Sequence, residues 1–211
     1  MFQENYARHY DLFNHDKPYK KEIEFVYSWA GKPKSIFDIG AGTGSYWKYY
    51  PKGTIIFGVD KSKDMVWQSK DVVQADITKY VYTKERFDCA TALFDVLNYI
   101  PKHDWWKNIP LKKGGYFIFD VWDKDKVNKD GFKKTTKVVN GITRTIYPIE
   151  GTNDSVDLNV VFGGSDQIFN ELHKMYFYSM DDIKKFCGND FEIVEVKPTK
   201  TWQVWYKCRR K

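Results

Sequence analysis

Residues 35–45 read SIFDIGAGTGS, an apolar run followed by glycines at alternate positions. Gly40, Gly42 and Gly44 have no Cβ and adopt positive φ without penalty, so the backbone there can approach another group closely. Taken alone, the stretch leaves three neighbours open: a phosphate, a nucleoside or a packed helix. The residues around it narrow the choice.

The two common phosphate-binding patterns do not fit this loop. A P-loop needs Gly-Lys-Ser/Thr, whereas Gly44 is followed by SYWK. The dinucleotide fingerprint G-x-G-x-x-G/A fails because Ser45 stands at its third position. Asp38, two residues before Gly40, would repel a pyrophosphate and attract a cation. The loop therefore favours a ligand with positive charge over one with phosphates.

A second carboxylate suggests the rest of that ligand. Asp60 ends the apolar run IIFGVD, which we predict to be the next strand of the sheet. A carboxylate at the end of that strand can accept hydrogen bonds from both hydroxyls of a ribose. A nucleoside that carries positive charge fits both carboxylates, and S-adenosylmethionine, with its sulfonium and ammonium groups, is such a molecule.

The pattern of the whole chain indicates one doubly wound α/β domain. Strands rich in Ile, Val and Phe alternate with helices up to about residue 133, including a helix expected from about Gly44 to Tyr50. The stretches at 135–149, 155–164 and 167–179 then alternate polar and apolar residues, which predicts an antiparallel insertion. A helix capped by Ser179 and a final strand pair follow. We divide the domain into a helical lid (1–31), a core (35–131), a β cap (132–178) and a closing segment (179–211).

Composition excludes several classes of protein. The 211 residues are 42% apolar and 29% charged, which is typical of a globular domain. The opening MFQENYARHY is not a signal sequence and no apolar run could span a bilayer, so we expect a cytoplasmic protein without a membrane partner. Three widely spaced cysteines fit neither a disulfide framework nor a metal site. The net charge of +6 reflects either a solvated lysine-rich surface or a patch for an anionic partner.

Five stretches together resemble the motifs of class I S-adenosylmethionine-dependent methyltransferases. They are FDIGAGTGS (37–45), VDKSKDM (59–65), QADI (74–77), FDCATALFDVLNYI (87–100) and LKKGGYFIFD (111–120), in the order of that family. The resemblance implies a Rossmann-like, seven-stranded, mostly parallel sheet with helices on both faces and an antiparallel edge strand. It also implies an enzyme that uses S-adenosylmethionine and releases S-adenosylhomocysteine.

Two further stretches resemble a subgroup that methylates small molecules such as glycine and amino sugars. YARHYDLFN (6–14) with KPYKKEIEFV (17–26) is similar to its amino-terminal lid, and FNELHKMYFYSMDDI (169–183) to its Glu-x-His cap strand. That subgroup often has an arginine three residues after the histidine, where this chain has Tyr176. The expected acceptor is therefore a small amine or hydroxyl compound.

The candidate site residues follow from these motifs. Asp38 would orient the methionine ammonium group directly or through water, Asp76 would meet the adenine amino group, and Phe94 to Leu97 would lie under the ligand. Asp120 and Trp122 would face the acceptor, and His173 could act as a general base because histidine is the side chain whose unperturbed pKa is near neutrality. The residues expected to bind the cofactor are Tyr19, Asp38, Gly40, Gly42, Gly44, Asp60, Lys61, Met65, Asp76, Ile77, Phe94 and Leu97; those expected to take part in catalysis are Tyr10, Asp120 and His173.

Two other functions stay open at this stage. The basic residues at 124–137 and 207–211 could hold nucleic acid or protein as the methyl acceptor. The Asn-Pro-Pro-Tyr type of motif that base methylation would favour is missing, since DVLN (95–98) stands in its place. The chain could also bind S-adenosylmethionine without catalysis. Whether it is a monomer or a homodimer is not fixed by the sequence.

Overall fold

The computed structural model describes residues 4–69, 71–79, 85–102, 105–164 and 168–211. The helices are α1 (Glu4–Asn14), α2 (Tyr19–Trp29), α3 (Lys63–Trp67), α4 (Lys124–Asp130) and α5 (Met180–Cys187). The strands are β1 (Ser35–Ile39), β2 (Ile55–Asp60), β3 (Val72–Gln74), β4 (Phe87–Ala92), β5 (Leu111–Trp122), β6 (Thr135–Val139), β7 (Ile142–Gly151), β8 (Ser155–Gly163), β9 (Ile168–Tyr176), β10 (Phe191–Pro198) and β11 (Gln203–Arg210).

The main sheet has seven strands in the order β10-β11-β5-β4-β1-β2-β3. β1 to β5 pair in parallel, and β11 pairs antiparallel with both β5 and β10. The predicted Rossmann-like sheet is thus confirmed, and its antiparallel strand is β11, one place in from the edge. The chain crosses from β3 back to β4, so the strand order reverses between β1 and β4. Ligands of open α/β sheets bind at such a reversal, outside the carboxyl ends of the strands.

The inserted cap is a separate antiparallel sheet in the order β6-β7-β8-β9. Asn140 and Gly141, both at positive φ, form the turn between β6 and β7. β8 shows the expected alternation, because Val156, Leu158, Val160 and Phe162 are buried on one face. That face packs against α1 at one end and against Tyr99, Trp122 and Trp202 at the other. The cap therefore lies over the region where the strand order reverses.

The helix expected from Gly44 to Tyr50 is wrong, because only a single 3-10 turn forms, at Trp47–Tyr49. Gly44 has φ of +67°, a conformation that cannot continue into an α-helix, and Tyr50 precedes Pro51, which disfavours helical backbone. The helix after Ser179 is confirmed. The Ser179 and Asp182 side chains form a reciprocal capping box at the start of α5. No helix within the described residues is both long and apolar enough to cross a membrane.

Candidate functional site

A cavity of about 260 Å³ opens at the carboxyl ends of β1, β2 and β4. Its floor comes from the glycine loop after β1, and its roof from α1, the cap and the turn after β4. The residues that line it are Tyr10, Ile39, Gly40, Ala41, Gly42, Thr43, Tyr46, Val59, Asp60, Lys61, Ser62, Met65, Ala75, Asp76, Ile77, Leu93, Phe94, Val96, Tyr99, Ile100, Lys174 and Tyr176. We call it the cofactor cavity. Eight of the twelve predicted cofactor-binding residues line it.

The glycine loop leaves no room for side chains. Gly40 and Gly42 both have positive φ, at +68° and +58°. A Cβ on Gly40 would lie 2.5 Å from Val96 Cγ1, and one on Gly42 would lie 3.1 Å from Met65 Cε. Gly44 differs, because it does not line the cavity and faces Val72 instead. Only the first two glycines form the floor, and Gly44 serves the packing of the loop.

Asp60 joins the glycine loop to the end of β2. Its Oδ2 accepts a hydrogen bond from the Gly42 backbone N–H at 2.8 Å, and its Oδ1 accepts one from the Ser62 N–H at 2.8 Å. Burial raises the pKa of this carboxyl. Each oxygen accepts one backbone hydrogen bond and has a second lone pair, since a carboxylate has about four acceptor sites. Two oxygens at the edge of the cavity match the two hydroxyls of a ribose.

The end of the cavity formed by Met65 and Ile77 is apolar, with the ion pair between Lys61 and Asp76 at its rim. Met65 and Ile77 are buried in its wall. Asp76 Oδ1 accepts hydrogen bonds from the Thr78 N–H and hydroxyl, and Lys61 Nζ lies 3.0 Å from Asp76 Oδ2. Burial alone would raise the pKa of Asp76, but the hydrogen bonds from Thr78 and Lys61 lower it. The flat apolar walls suit an aromatic base, and Asp76 is already held by protein donors.

Asp38 lies behind the cavity rather than in its wall. It is fully buried and accepts hydrogen bonds from the Tyr46 hydroxyl (2.6 Å), Trp47 Nε1 (2.6 Å) and the Thr91 hydroxyl (2.8 Å). Burial raises its pKa to about 6. Three protein donors surround the carboxylate, so Asp38 does not itself line the cavity, and its expected contact with a ligand ammonium group, directly or through water, stays a prediction. Tyr46, which Asp38 holds, reaches the cavity.

The turn after β4 is strained and is held by Asp120. Phe94 and Asp95 have φ of +66° and +65°, which is unfavourable for residues with a Cβ. Asp120 Oδ1 accepts from the Phe94 N–H at 2.8 Å, and Oδ2 accepts from the Asp95 N–H at 3.0 Å and from Gln203 Nε2 at 2.9 Å. The expectation that Asp120 faces an acceptor is wrong, because it is fully buried beneath this turn. Leu97, expected under the ligand, is likewise buried in the core, and Val96 lines the cavity in its place.

A second cavity of about 290 Å³ lies on the other side of Phe94, which lines both. We call it the acidic cavity. Burial raises the pKa of Glu22 and of Asp95, and in both cases the charge of Asp120 raises it further. Lys17 Nζ lies 5.1 Å from the centre of the Phe94 ring. The residues that line the cavity are Lys17, Glu22, Phe94, Asp95, Trp122, Thr201, Trp202 and Gln203.

Two tyrosines of the amino-terminal helices lie at or near the cofactor cavity. Tyr10 on α1 lines it directly. Tyr19 at the start of α2 does not, but its ring packs edge-on against Phe94, with centroids 5.0 Å apart. Among the described residues, no group forms a hydrogen bond with the buried Tyr19 hydroxyl. An unsatisfied hydroxyl beside Phe94 has room for a polar ligand atom, as the predicted cofactor requires.

His173 on β9 is also set back from the cavity. It is buried, and its Nδ1 lies 3.3 Å from the hydroxyl of Tyr99, which does line the cavity. Its Nε2 lies 3.3 Å from Glu171 Oε2. His173 therefore does not line the cavity itself, and its expected role as a general base stays a prediction. Tyr176, which stands where related proteins often have an arginine, does reach the cavity wall.

Several residues of the site were not found by sequence reasoning. Tyr46, Tyr99 and Lys174 reach the cofactor cavity, and Glu22 reaches the acidic cavity. Asp95 belongs to the range Phe94 to Leu97 that was expected under the ligand, but it lines the acidic cavity instead. Glu22 and Tyr99 carry no signal in the sequence, since each resembles an ordinary residue of an amphipathic segment.

Comparison with known proteins agrees with the geometry. Residues 37–119 match the profile of a methyltransferase domain family. No curated protein matches the chain. A solved S-adenosylmethionine-dependent methyltransferase from Clostridium acetobutylicum superposes with a TM-score of 0.80 at 22% identity, covering 98% of both chains. The family match over residues 37–119 agrees with the predicted resemblance and enzyme class, and the structural likeness confirms the fold.

Two other solved structures are similar over most of their length. One is CalS10, an amino pentose methyltransferase from Micromonospora echinaspora, with a TM-score of 0.74, 14% identity and coverage of 100% of this chain and 98% of the other. The second is the sugar N-methyltransferase KedS8 from a Streptoalloteichus species, with a TM-score of 0.74, 16% identity and coverage of 96% and 93%. At these identities the likeness establishes a shared fold.

Proposed function

We propose that this chain, whose residues 37–119 match the methyltransferase domain family, transfers a methyl group from S-adenosylmethionine to a small-molecule amine. The observation that carries the proposal is that Phe94 lines both the cofactor cavity and the acidic cavity. One residue thus separates the space for the methyl donor from a space that suits a cation. The sugar N-methyltransferases among the similar structures support an amine acceptor such as an amino sugar.

In this proposal five residues hold the cofactor in or beside the cofactor cavity. Asp60 accepts the ribose hydroxyls, and Met65 and Ile77 enclose the adenine. Near Phe94, the hydroxyls of Tyr19 and Tyr46 lie where the methionine end belongs. When bound, S-adenosylmethionine supplies a methyl group on a positively charged sulfur, which receives the carbon–sulfur electron pair as the acceptor's lone pair forms the new bond.

The acidic cavity supplies the charge for an amine. Glu22 and Asp95 face it, Asp120 lies directly behind, and Lys17 is the only cation among the described residues that line it. Partly buried carboxylates that outnumber their cations are costly, and a bound ammonium group would relieve that cost. Trp122 and Trp202 add aromatic walls, which favour cationic ligands. A neutral hydroxyl acceptor would gain none of these interactions.

Holding the acceptor between these groups provides most of what the reaction needs. The methyl donor is already activated, so catalysis depends on fixing the nucleophile in line at about 3–3.5 Å. The Phe94–Asp95 turn lies between the two cavities, and Asp120 fixes it from below. Tyr10, Tyr99 and Tyr176 line the roof of the cofactor cavity.

A macromolecular acceptor is less well supported, because the basic residues that suggested it hold the fold together. Lys124 pairs with Asp154, Lys126 donates to the carbonyls of residues 199 and 201, and Lys137 donates to Asp16 and to the carbonyl of residue 13. In the tail, Lys207 lies over Tyr116, and Arg209 pairs with Glu192. These contacts leave less free basic surface than the sequence suggests.

The test is a transfer assay with tritiated methyl groups. The panel contains glycine, ethanolamine and glucosamine as amines, glucose and glycerol as hydroxyl compounds, and transfer RNA and duplex DNA. We expect label in an amine and none in the nucleic acids. Glu22→Gln and Asp95→Asn should each raise KM for the amine about tenfold, whereas Glu24→Gln, an exposed change on the same helix, should not. Transfer to nucleic acid alone would contradict the proposal.

A further inference from the structure

A chain of buried polar groups leads from the cofactor cavity into the cap. Tyr99 lines the cavity, and its hydroxyl lies 3.3 Å from His173 Nδ1. The other ring nitrogen, Nε2, lies 3.3 Å from Glu171 Oε2. Glu171 is anchored in turn, because its Oε1 accepts a hydrogen bond from the Tyr6 backbone N–H at 3.2 Å. The order tyrosine, histidine, carboxylate is one in which protons can move.

Two members of this series of polar groups, His173 and Glu171, are almost completely buried. His173 and Glu171 are 2% and 4% exposed, although they lie on a cap strand whose intervening residue, Leu172, is 56% exposed. Burying an imidazole and a carboxylate costs free energy unless they pair with each other or with other polar groups. A cap that served only to cover the cofactor could place apolar residues at both positions, as it does at Val160 and Phe162.

We propose that Tyr99, His173 and Glu171 form a proton relay that takes a proton from the methyl acceptor. The inference rests on the proposed function for the acceptor, whereas the geometry of the relay stands by itself. Tyr99 is its catalytic residue, because it lines the cofactor cavity and packs against the same apolar cluster as Trp122 and Trp202, which line the acidic cavity proposed for the acceptor. His173 and Glu171 are positioning residues that act through Tyr99.

Each proton that leaves one group of the relay is accepted by the next group. An ammonium N–H bond breaks and a new O–H bond forms on Tyr99, while the original Tyr99 O–H bond breaks and an N–H bond forms at His173 Nδ1. The electron pair of the broken N–H bond stays on the acceptor nitrogen, which becomes the nucleophile. His173 becomes an imidazolium, and the Glu171 carboxylate beside Nε2 stabilises its charge. The starting state requires the His173 tautomer with hydrogen on Nε2.

The other groups around His173 bear on its charge. Tyr6 on α1 packs against the ring, with centroids 4.9 Å apart, and Tyr99 packs edge-on at 5.7 Å. Arg144 on β7 lies close enough to hydrogen-bond Tyr6 and to lower its pKa, although burial is the largest effect and raises it. The positive charge of Arg144 opposes an imidazolium, so Glu171 is needed to balance it.

The first test needs no acceptor. Nitrogen NMR of histidine-labelled protein distinguishes a ring nitrogen that carries hydrogen from one that does not, and His173→Gln assigns the signal among the four histidines. At neutral pH we expect His173 to carry hydrogen on Nε2 only. Tyr99→Phe should shift the Nδ1 signal and Glu171→Gln the Nε2 signal. Hydrogen on Nδ1 in the wild type would overturn the relay.

The second test is kinetic and uses whichever of glycine, ethanolamine and glucosamine is methylated fastest. Tyr99→Phe and His173→Gln should each lower kcat about a hundredfold, the usual size of a general-base contribution, with KM within twofold. The fall of kcat at low pH should disappear in both variants. Tyr147→Phe, which removes another cap hydroxyl that lines neither cavity, should behave like the wild type.

The outcomes separate the two proposals. If no amine is methylated, the proposed function fails, and the NMR experiment still decides the relay. If an amine is methylated and the variants lower only the melting temperature or raise only KM, with an unchanged pH profile, the three residues merely hold the cap and the relay is overturned.

Discussion

Asp60 Oδ2 accepts a hydrogen bond from the Gly42 backbone N–H at 2.8 Å. This bond joins the end of β2 to the loop after β1, so the two parts of the sequence that suggested a nucleoside form one unit. The carboxylate both fixes the loop and lines the cavity. Its removal should therefore affect cofactor binding more than the fold.

We predict that Asp60→Ala weakens the binding of S-adenosylhomocysteine by about 10- to 100-fold, because two charge-assisted hydrogen bonds to ribose are lost. Isothermal titration calorimetry measures the change. Asp64→Asn, in the first turn of α3 and away from the cavity wall, is the control and should bind normally. Equal affinities for wild type and Asp60→Ala would place the ribose elsewhere.

We predict that Gly40→Ala is far more destabilising than Gly53→Ala. Both glycines have positive φ, which costs alanine about 1–2 kcal/mol. A Cβ at Gly53 meets nothing within 4 Å, whereas one at Gly40 would lie 2.5 Å from Val96. We expect a further loss of about 1–3 kcal/mol at Gly40 from this overlap. Denaturant unfolding measures the free energy of unfolding of the two variants. Equal losses of stability would show that the Val96 side chain moves away from the added Cβ without a free-energy cost.

A third prediction concerns pH and Asp38. The folded-state pKa of about 6 is above the ordinary value of 3.8, so the folded state binds more protons between these values and loses stability as pH rises through them. Relative to Asp38→Asn, whose side chain stays neutral, the wild type should lose about 2 kcal/mol between pH 4 and 7. The same difference at both pH values, measured by urea unfolding, would refute the assignment.

A fourth prediction concerns the strained turn at Phe94 and Asp95. Asp120→Asn replaces one accepting oxygen by a donor that faces backbone N–H groups, so we expect about 2 kcal/mol of lost stability and at least tenfold slower methyl transfer. Gln203→Met removes only one of the three hydrogen bonds to Asp120 and should show the same effects more weakly. Full activity in Asp120→Asn would mean that the turn keeps its conformation without the hydrogen bonds to the Asp120 carboxylate.

Much of the fold could be predicted because its signals are local. The alternation of polar and apolar residues at 155–164 and the Ser179–Asp182 pair each specify their own element. The short 3-10 turn after the glycine loop was missed because the positive φ of Gly44 stops a helix there and because Tyr46 and Trp47 turn inward to hydrogen-bond Asp38 on β1. Local propensity cannot show such a contact.

The candidate site also contains residues whose position could be predicted from the sequence and residues whose position could not. The position of Asp60, Gly40 and Gly42 in the cavity wall could be predicted because the strand ends beside the reversal of strand order open into that cavity. Asp38 and Asp120 also follow that pattern, yet both are fully buried and bind protein donors instead. Sequence position thus identified the right strands but did not distinguish a carboxylate in the cavity wall from one behind it. Tyr99 and Glu22 required the three-dimensional arrangement of cap, lid and sheet.

The most direct test of the central claim is the transfer of a tritiated methyl group from S-adenosylmethionine to the panel of amines, hydroxyl compounds and nucleic acids. We expect label in glycine, ethanolamine or glucosamine. We expect no label in these amines when Glu22→Gln and Asp95→Asn are combined. Label in transfer RNA or DNA with none in any amine, or amine methylation that is indifferent to both substitutions, would contradict the claim.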